Sequence, residues 1–215
     1  MAELIKRLLT SIILILLLLI SISNTFVLCI VLIACFYQII VEFHSLLGRN
    51  FKKHEKTKLY LLTILLIIYI GYFNIKIFIT FLNNNSSELL LLYFIIITCI
   101  STDIGGYIFG KIFKGPKLTK ISPKKTYSGM IGSYFFSLLF VVIIFDGYMN
   151  VEKLFFLIII TSTVSQIGDI FISFLKRKSK LKDASSLLPG HGGLLDRFDG
   201  LIFAIPISSI FFNII

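Results

Sequence analysis

The sequence predicts an all-α polytopic membrane protein, a bundle of about seven transmembrane helices with the N-terminus cytoplasmic. Three observations lead there. Of the 215 residues, 57% are hydrophobic and only 15% charged, whereas a soluble domain carries about 25% charge. The apolar residues fall in long runs, and about 20 such residues in helix cross a bilayer. The basic residues lie almost all on one side of the resulting spans. The same composition excludes disordered, collagen-like and disulfide-scaffold chains. The length allows one membrane domain, 1–215, and no sizeable soluble one.

The apolar run from Leu8 to Val41 is too long for one span, and the polar cluster Ser21, Ser23, Asn24 and Thr25 divides it into a hairpin. Spans are expected at 4–20, 25–43, 58–74, 88–110, 129–145, 153–175 and 199–215. Ile75–Leu82 either extends the third span or lies at the interface. The first span resembles a secretory signal in its Lys6–Arg7 start, but no small-x-small cleavage site follows, so it is retained as a span. Cys29, Cys35 and Cys99 lie inside apolar runs with no CxxC, which reads as free thiols in packed helices and not as a zinc site.

Net charge is +10, and 19 of the 21 basic residues fall in alternate loops: at 6–7, 49–58, 111–125 and 176–197. The opposite loops hold only Lys76 and Lys153. Topology therefore accounts for the charge without nucleic acid.

Three stretches carry more than topology requires. The sixth span contains Thr161, Ser162, Thr163, Ser165, Gln166, Asp169 and Ser173. Asp169, Ser173 and Lys176 are spaced i, i+4, i+7 on one face. A carboxylate within a span faces a partner, a cavity or an ion. Helix packing by small polar residues, with Asp169 paired to a lysine, is the plain alternative. Ser162 and Ser165 continue the stripe and are expected to line a lateral opening for a lipid headgroup. The following loop ends in Asp196, Arg197 and Asp199, after Gly190–His191–Gly192–Gly193. The two acids read as caps at the start of the last span, or as metal ligands beside basic phosphate clamps. His191 suits a turn, a phosphate hydrogen-bond donor or a base. In the third stretch, Asp103 and Gly105, Gly106 and Gly110 precede a loop with Lys124, Lys125, Thr126 and Ser128, able to grip a polyphosphate although no P-loop pattern is present.

Ser173 to Asp199, SFLKRKSKLKDASSLLPGHGGLLDRFD, resembles the signature of the phosphatidate cytidylyltransferases (CDP-diacylglycerol synthases), and it meets every fixed position over 27 residues. ISPKKTYSG and SQIGDIFIS resemble two further segments of that family. The likeness covers residues 98–200, the expected catalytic core. It departs at Ser128, where the family usually has Glu, and at Tyr127, where it often has Trp.

The resemblance implies CMP transfer from CTP to phosphatidate, giving CDP-diacylglycerol and pyrophosphate. It implies Asp169 and Asp196 as ligands of Mg²⁺, with a second cation allowed, and Asp199 as a further acid. Ser173, Lys176 and Arg177 are expected on phosphate oxygens. Lys124, Lys125 and Thr126 are expected on the triphosphate, with His191, Gly192, Gly193 and Arg197 nearby. It also implies a multi-pass protein of the cell membrane, its site on the cytoplasmic side, and a homodimer. The other enzymatic reading is a CTP-dependent polyprenol or phytol kinase, whose alcohol nucleophile needs a base.

Overall fold

The computed structural model describes residues 2–50, 56–83, 86–119, 121–148, 150–190 and 192–214. These form eight helices in chain order: α1 (Ala2–Ser23), α2 (Thr25–Asn50), α3 (Lys56–Asn83), α4 (Ser86–Phe113), α5 (Tyr127–Phe145), α6 (Val151–Lys178), α7 (Leu195–Phe198) and α8 (Leu201–Ile214). Five of them, α2 to α6, are long and apolar enough to cross a membrane, among the described residues. The apolar stretch of α1, Leu9–Ser21, is shorter, and α8 has 14 residues. The expected spans at 25–43, 58–74, 88–110, 129–145 and 153–175 thus each lie within one helix. Ile75–Leu82 continues α3.

The chain forms two compact units: Met1–Asn85 with Leu175–Phe198, and Ser86–Phe174 with Asp199–Ile215. The expected core stretch 98–200 contributes to both.

In the first unit the hairpin break falls where the polar cluster predicts it. The Asn24 side-chain oxygen accepts from the N–H groups of Phe26 at 3.0 Å and Val27 at 3.4 Å, satisfying donors that the start of α2 leaves open. Ser21 donates back to the Leu17 carbonyl at 2.6 Å, which quenches its hydroxyl inside an apolar helix. Ile39, Phe43 and Leu46 of α2, Ile70 and Phe73 of α3, and Leu195 of α7 are buried. Leu61, Ile64, Leu65 and Ile68 on α3 are exposed. Such outward apolar faces suit lipid and not water.

The second unit is built on close helix approach. Gly105, Gly106 and Gly110 of α4 meet Gly129, Gly132 and Ser133 of α5. A Cβ on Gly105 would lie 2.6 Å from the Gly132 carbonyl oxygen, and one on Gly129 would lie 2.8 Å from that of Gly106. Phe109 covers Gly132. Small residues at such spacing let backbones touch where lipid offers no hydrophobic drive for association. Buried and half-buried hydroxyls cross-link α4, α5, α6 and α8. Ser133 donates to the Thr102 carbonyl at 2.8 Å, Tyr134 bonds Thr163 at 2.8 Å, and Thr161 bonds Ser208 at 2.9 Å. Phe94 and Phe145 stack edge to face, centroids 5.3 Å apart, over a core including Ile95, Leu157, Ile158 and Ile202.

Two expectations change here. The last span does not begin at Asp199: α8 starts at Leu201, and the acids lie outside it. α7 closes on the Leu194 carbonyl, which accepts from Arg197 and Phe198, and the chain then turns at Gly200, whose Cα rests against Ser165. Nor do Ser162 and Ser165 line an opening. Both are buried, and Ser162 accepts from Thr102 at 3.0 Å and from Gln166 at 3.3 Å. They pack α6 because their small size and hydroxyls satisfy neighbours.

Gly132→Ala is expected to destabilise the detergent-solubilised protein by about 1–3 kcal/mol, the usual cost of overpacking. Gly48→Ala, where an added Cβ meets nothing within 4 Å, is expected to be neutral or stabilising by up to about 1 kcal/mol through helix propensity. Equilibrium unfolding in mixed micelles checks both signs.

Candidate active site

The second unit contains a polar pocket of about 250 Å³. Its chemistry comes from Asp103, Lys124, Lys125, Thr126, Gln166 and Asp169, with Thr102, Ser122 and Ser133 beside them. Asp169 ion-pairs with Lys125. Ser173, one turn along α6, donates to Asp169 Oδ1 at 3.3 Å. Asp103 lines the same pocket, within Coulombic reach of both Asp169 and Lys125. Lys124 is exposed at its rim.

Local geometry fixes the lysines. Between α4 and α5 the chain folds back on itself. Leu118 N–H donates to the Lys125 carbonyl at 2.8 Å, Lys125 N–H to that of Ser122 at 3.0 Å, and Tyr127 N–H to that of Pro116 at 3.1 Å. Lys114 and Gly115 take positive φ, 51° and 99°, which allows the reversal. Thr126 caps α5, its hydroxyl accepting from Gly129 N–H at 3.1 Å. Ser128, in place of the family's usual Glu, donates to the Lys114 carbonyl and so ties down the start of the loop.

The first unit holds the rest of the signature. Lys176 Nζ pairs with Asp196 Oδ1 at 2.7 Å, and both side chains are about nine-tenths buried. Asp196 Oδ2 accepts from Ala184 N–H at 2.8 Å and Gly193 N–H at 2.9 Å. Gly192 adopts φ +83° and exchanges two backbone bonds with Leu188. Arg177 is exposed and donates to the Leu181 carbonyl at 3.1 Å. Arg197 is exposed. His191 lies outside the described residues.

The structure thus brings Asp169, Ser173, Lys124, Lys125 and Thr126 together in the second unit, and Lys176, Asp196, Gly192 and Gly193 together in the first. Asp199, also in the second unit, accepts from Gly200 N–H at 2.9 Å. Sequence reasoning noted Asp103 without placing it in the site. Its signal was a carboxylate in an apolar helix one turn before a glycine cluster. Glu42 was missed altogether. It is 2% exposed in α2 and accepts from the 194–195 backbone.

Among the described residues, no group of three or more His, Cys, Asp or Glu forms a ready metal cage. The pocket instead offers two carboxylates with hydroxyl and amide oxygens. That hard-oxygen set fits a cation such as Mg²⁺, which binds through one or two carboxylates and completes its shell with water and phosphate. At Asp196 both oxygens already accept protein donors, so holding the loop is its first role.

Apolar helices in number, with a pocket of lysines and carboxylates in one of their units, define a multi-pass helical membrane protein with a charged internal site. The chain belongs to the cytidylyltransferase family, whose model matches residues 2–215. It is 42% identical over 124 residues to a phosphatidate cytidylyltransferase of Rickettsia typhi, covering 53% of each chain. It is 42% identical over 117 residues to that of Rickettsia felis, covering 50% of this chain and 52% of the relative. For Staphylococcus haemolyticus the figures are 43% over 113 residues, with 51% and 44% covered. The matched stretches span about half the length of these relatives or less.

Asp196→Ala leaves the Lys176 ammonium buried without its counter-charge. A loss of about 3–5 kcal/mol is expected in unfolding experiments, and Lys176→Met in that background should recover part of it.

Proposed function

We propose that this protein is a phosphatidate cytidylyltransferase. It joins the CMP unit of CTP to phosphatidate and releases pyrophosphate. The observation that carries this reading is the pocket that sets Lys124 and Lys125 against Asp103 and Asp169, in a chain of the cytidylyltransferase family. The names of the curated relatives and the full signature from Ser173 to Asp199 support it.

Two anions must meet in this reaction. A phosphate oxygen of phosphatidate attacks the α-phosphorus of CTP, the bond to the β-phosphate oxygen breaks, and pyrophosphate leaves with that electron pair. The nucleophile is already anionic, so charge neutralisation and alignment matter more than a base. Lys125 and Lys124 take the triphosphate, exchanging Lys125's carboxylate partner for phosphate oxygens. The start of α5, capped by Thr126, adds a favourable dipole. Asp169 would hold Mg²⁺, with Asp103 beside it, and Ser173 orients Asp169. When bound, the metal supplies positive charge to the phosphates and the leaving oxygen. Lys176 fixes Asp196 and, with Arg177 and Arg197, supplies positive charge along the signature segment. His191, Gly192 and Gly193 belong to the loop that presents this segment to phosphate, and Asp199 serves as a further acid.

The topology belongs to the same proposal. Seven spans with the N-terminus inside place the lysine loops in the cytoplasm, where CTP is found, while phosphatidate arrives from the bilayer of the cell membrane.

The test is transfer of label from α-³²P-CTP into chloroform-soluble lipid, with phosphatidate and Mg²⁺. Wild type should transfer label, and chelation should stop it. Lys125→Ala is expected to lose about 100-fold or more, the scale for one removed charge stabiliser, and Asp103→Asn at least about 10-fold. Label from γ-³²P-CTP entering lipid instead would contradict the proposal and identify a kinase.

A further inference from the structure

Glu42 lies in none of the motifs. It sits on α2 among Ile39, Phe43 and Leu46, 2% exposed. Oε1 accepts from Gln38 Nε2 at 2.9 Å, Ser185 Oγ at 2.7 Å and Leu194 N–H at 3.1 Å. Oε2 accepts from Leu195 N–H at 2.8 Å. All four partners donate, and a carboxylate offers acceptor sites on both oxygens to meet them. Burying a carboxylate is costly, and an apolar side chain would pack α2 more cheaply. The charge is therefore explained by the donors it gathers, three of which come from residues more than 140 positions away in the chain.

Those three donors belong to the two stretches that Asp196 also holds. Glu42 takes Ser185, Leu194 and Leu195, while Asp196 takes Ala184 and Gly193. Gly193 closes the arrangement. A Cβ there would lie 2.7 Å from Glu42 Oε2 and 2.9 Å from the Ser185 nitrogen, so only glycine fits. Asp196 follows directly on the clamped residues, and its pairing with Lys176 inherits their position.

We propose that Glu42 is a positioning residue for CMP transfer: it clamps loop 184–195 and so sets Asp196 against Lys176, without touching substrate. This rests on the cytidylyltransferase reading above. The full chain in detergent, wild type beside Glu42→Gln, Glu42→Asp and Ser185→Ala, provides the test. Steady-state kinetics, thermal midpoints and hydrogen exchange of peptides covering 184–195 are measured together. Glu42→Gln turns an amide N–H₂ toward backbone donors. It is expected to lower kcat by about 10- to 100-fold, to leave the KM for CTP within about threefold, and to speed exchange in 184–195. Glu42→Asp, which keeps both oxygens, should recover part of kcat. Ser185→Ala should remain folded and lose a few-fold in kcat.

Unchanged kcat in Glu42→Gln, or faster exchange in Ser185→Ala without any loss of kcat, overturns the proposal. If Glu42→Gln does not fold, the two milder variants decide: a kcat loss with an unchanged midpoint supports the clamp, and full activity rejects it. If wild type itself transfers no CMP, the functional reading fails. Exchange then still tests the clamp alone, and unaltered protection of 184–195 in Glu42→Gln rejects it.

Discussion

A carboxylate in an apolar helix must be answered by a counter-charge or by gathered hydrogen-bond donors, and the pairing of Asp169 with Lys125 is the first kind of answer. Asp169 comes from the polar stripe of α6 and Lys125 from the folded-back loop ahead of α5. Their contact requires α4 and α5 to approach through their glycines, because the loop's geometry is set by the ends of those two helices. The glycine seam, the Thr126 cap and the Ser128 tie to Lys114 are in this sense parts of one device that delivers an ammonium group to a half-buried acid. In the proposed reaction the pair is exchangeable. An anionic ligand can displace the carboxylate from Lys125, and a cation can displace the lysine from Asp169. A site that must stay close to neutral both empty and loaded is well served by such a pair.

The first unit solves a different problem with the same means. A glycine-rich loop has little apolar surface with which to hold itself, so its order comes from hydrogen bonds to buried acids. Glu42 and Asp196 between them accept five bonds from residues 184–195. Lys176 neutralises one of the two acids. These bonds hold residues 184–185 and 193–195 in place.

Much of this was legible in the sequence. The hairpin at Asn24, five of the long helices and the (i, i+4) contact of Ser173 with Asp169 follow from local periodicity and capping. What escaped was tertiary. Glu42 appears in the sequence as one acid near the end of an apolar helix, and its partners lie 143 to 153 residues away. Asp103 enters the pocket only because of how α4 packs on α5. The serines at 162 and 165 looked like a lining, yet they serve packing, since a stripe of hydroxyls has the same spacing in either role. The break between α7 and α8 depends on Gly200 seating on Ser165, a contact no local pattern announces.

In the proposed function Lys125 and Asp169 serve the chemistry and do not merely neutralise each other. The charge-swapped double variant, Lys125→Asp with Asp169→Lys, tests it most directly when its thermal midpoint and CMP transfer are compared with those of wild type and each single variant. The swap is expected to restore most of the stability lost in the single variants while transfer stays at background, because lysine at 169 cannot hold a metal and aspartate at 125 repels triphosphate. Recovery of transfer together with stability would contradict it and leave the pair a purely structural contact.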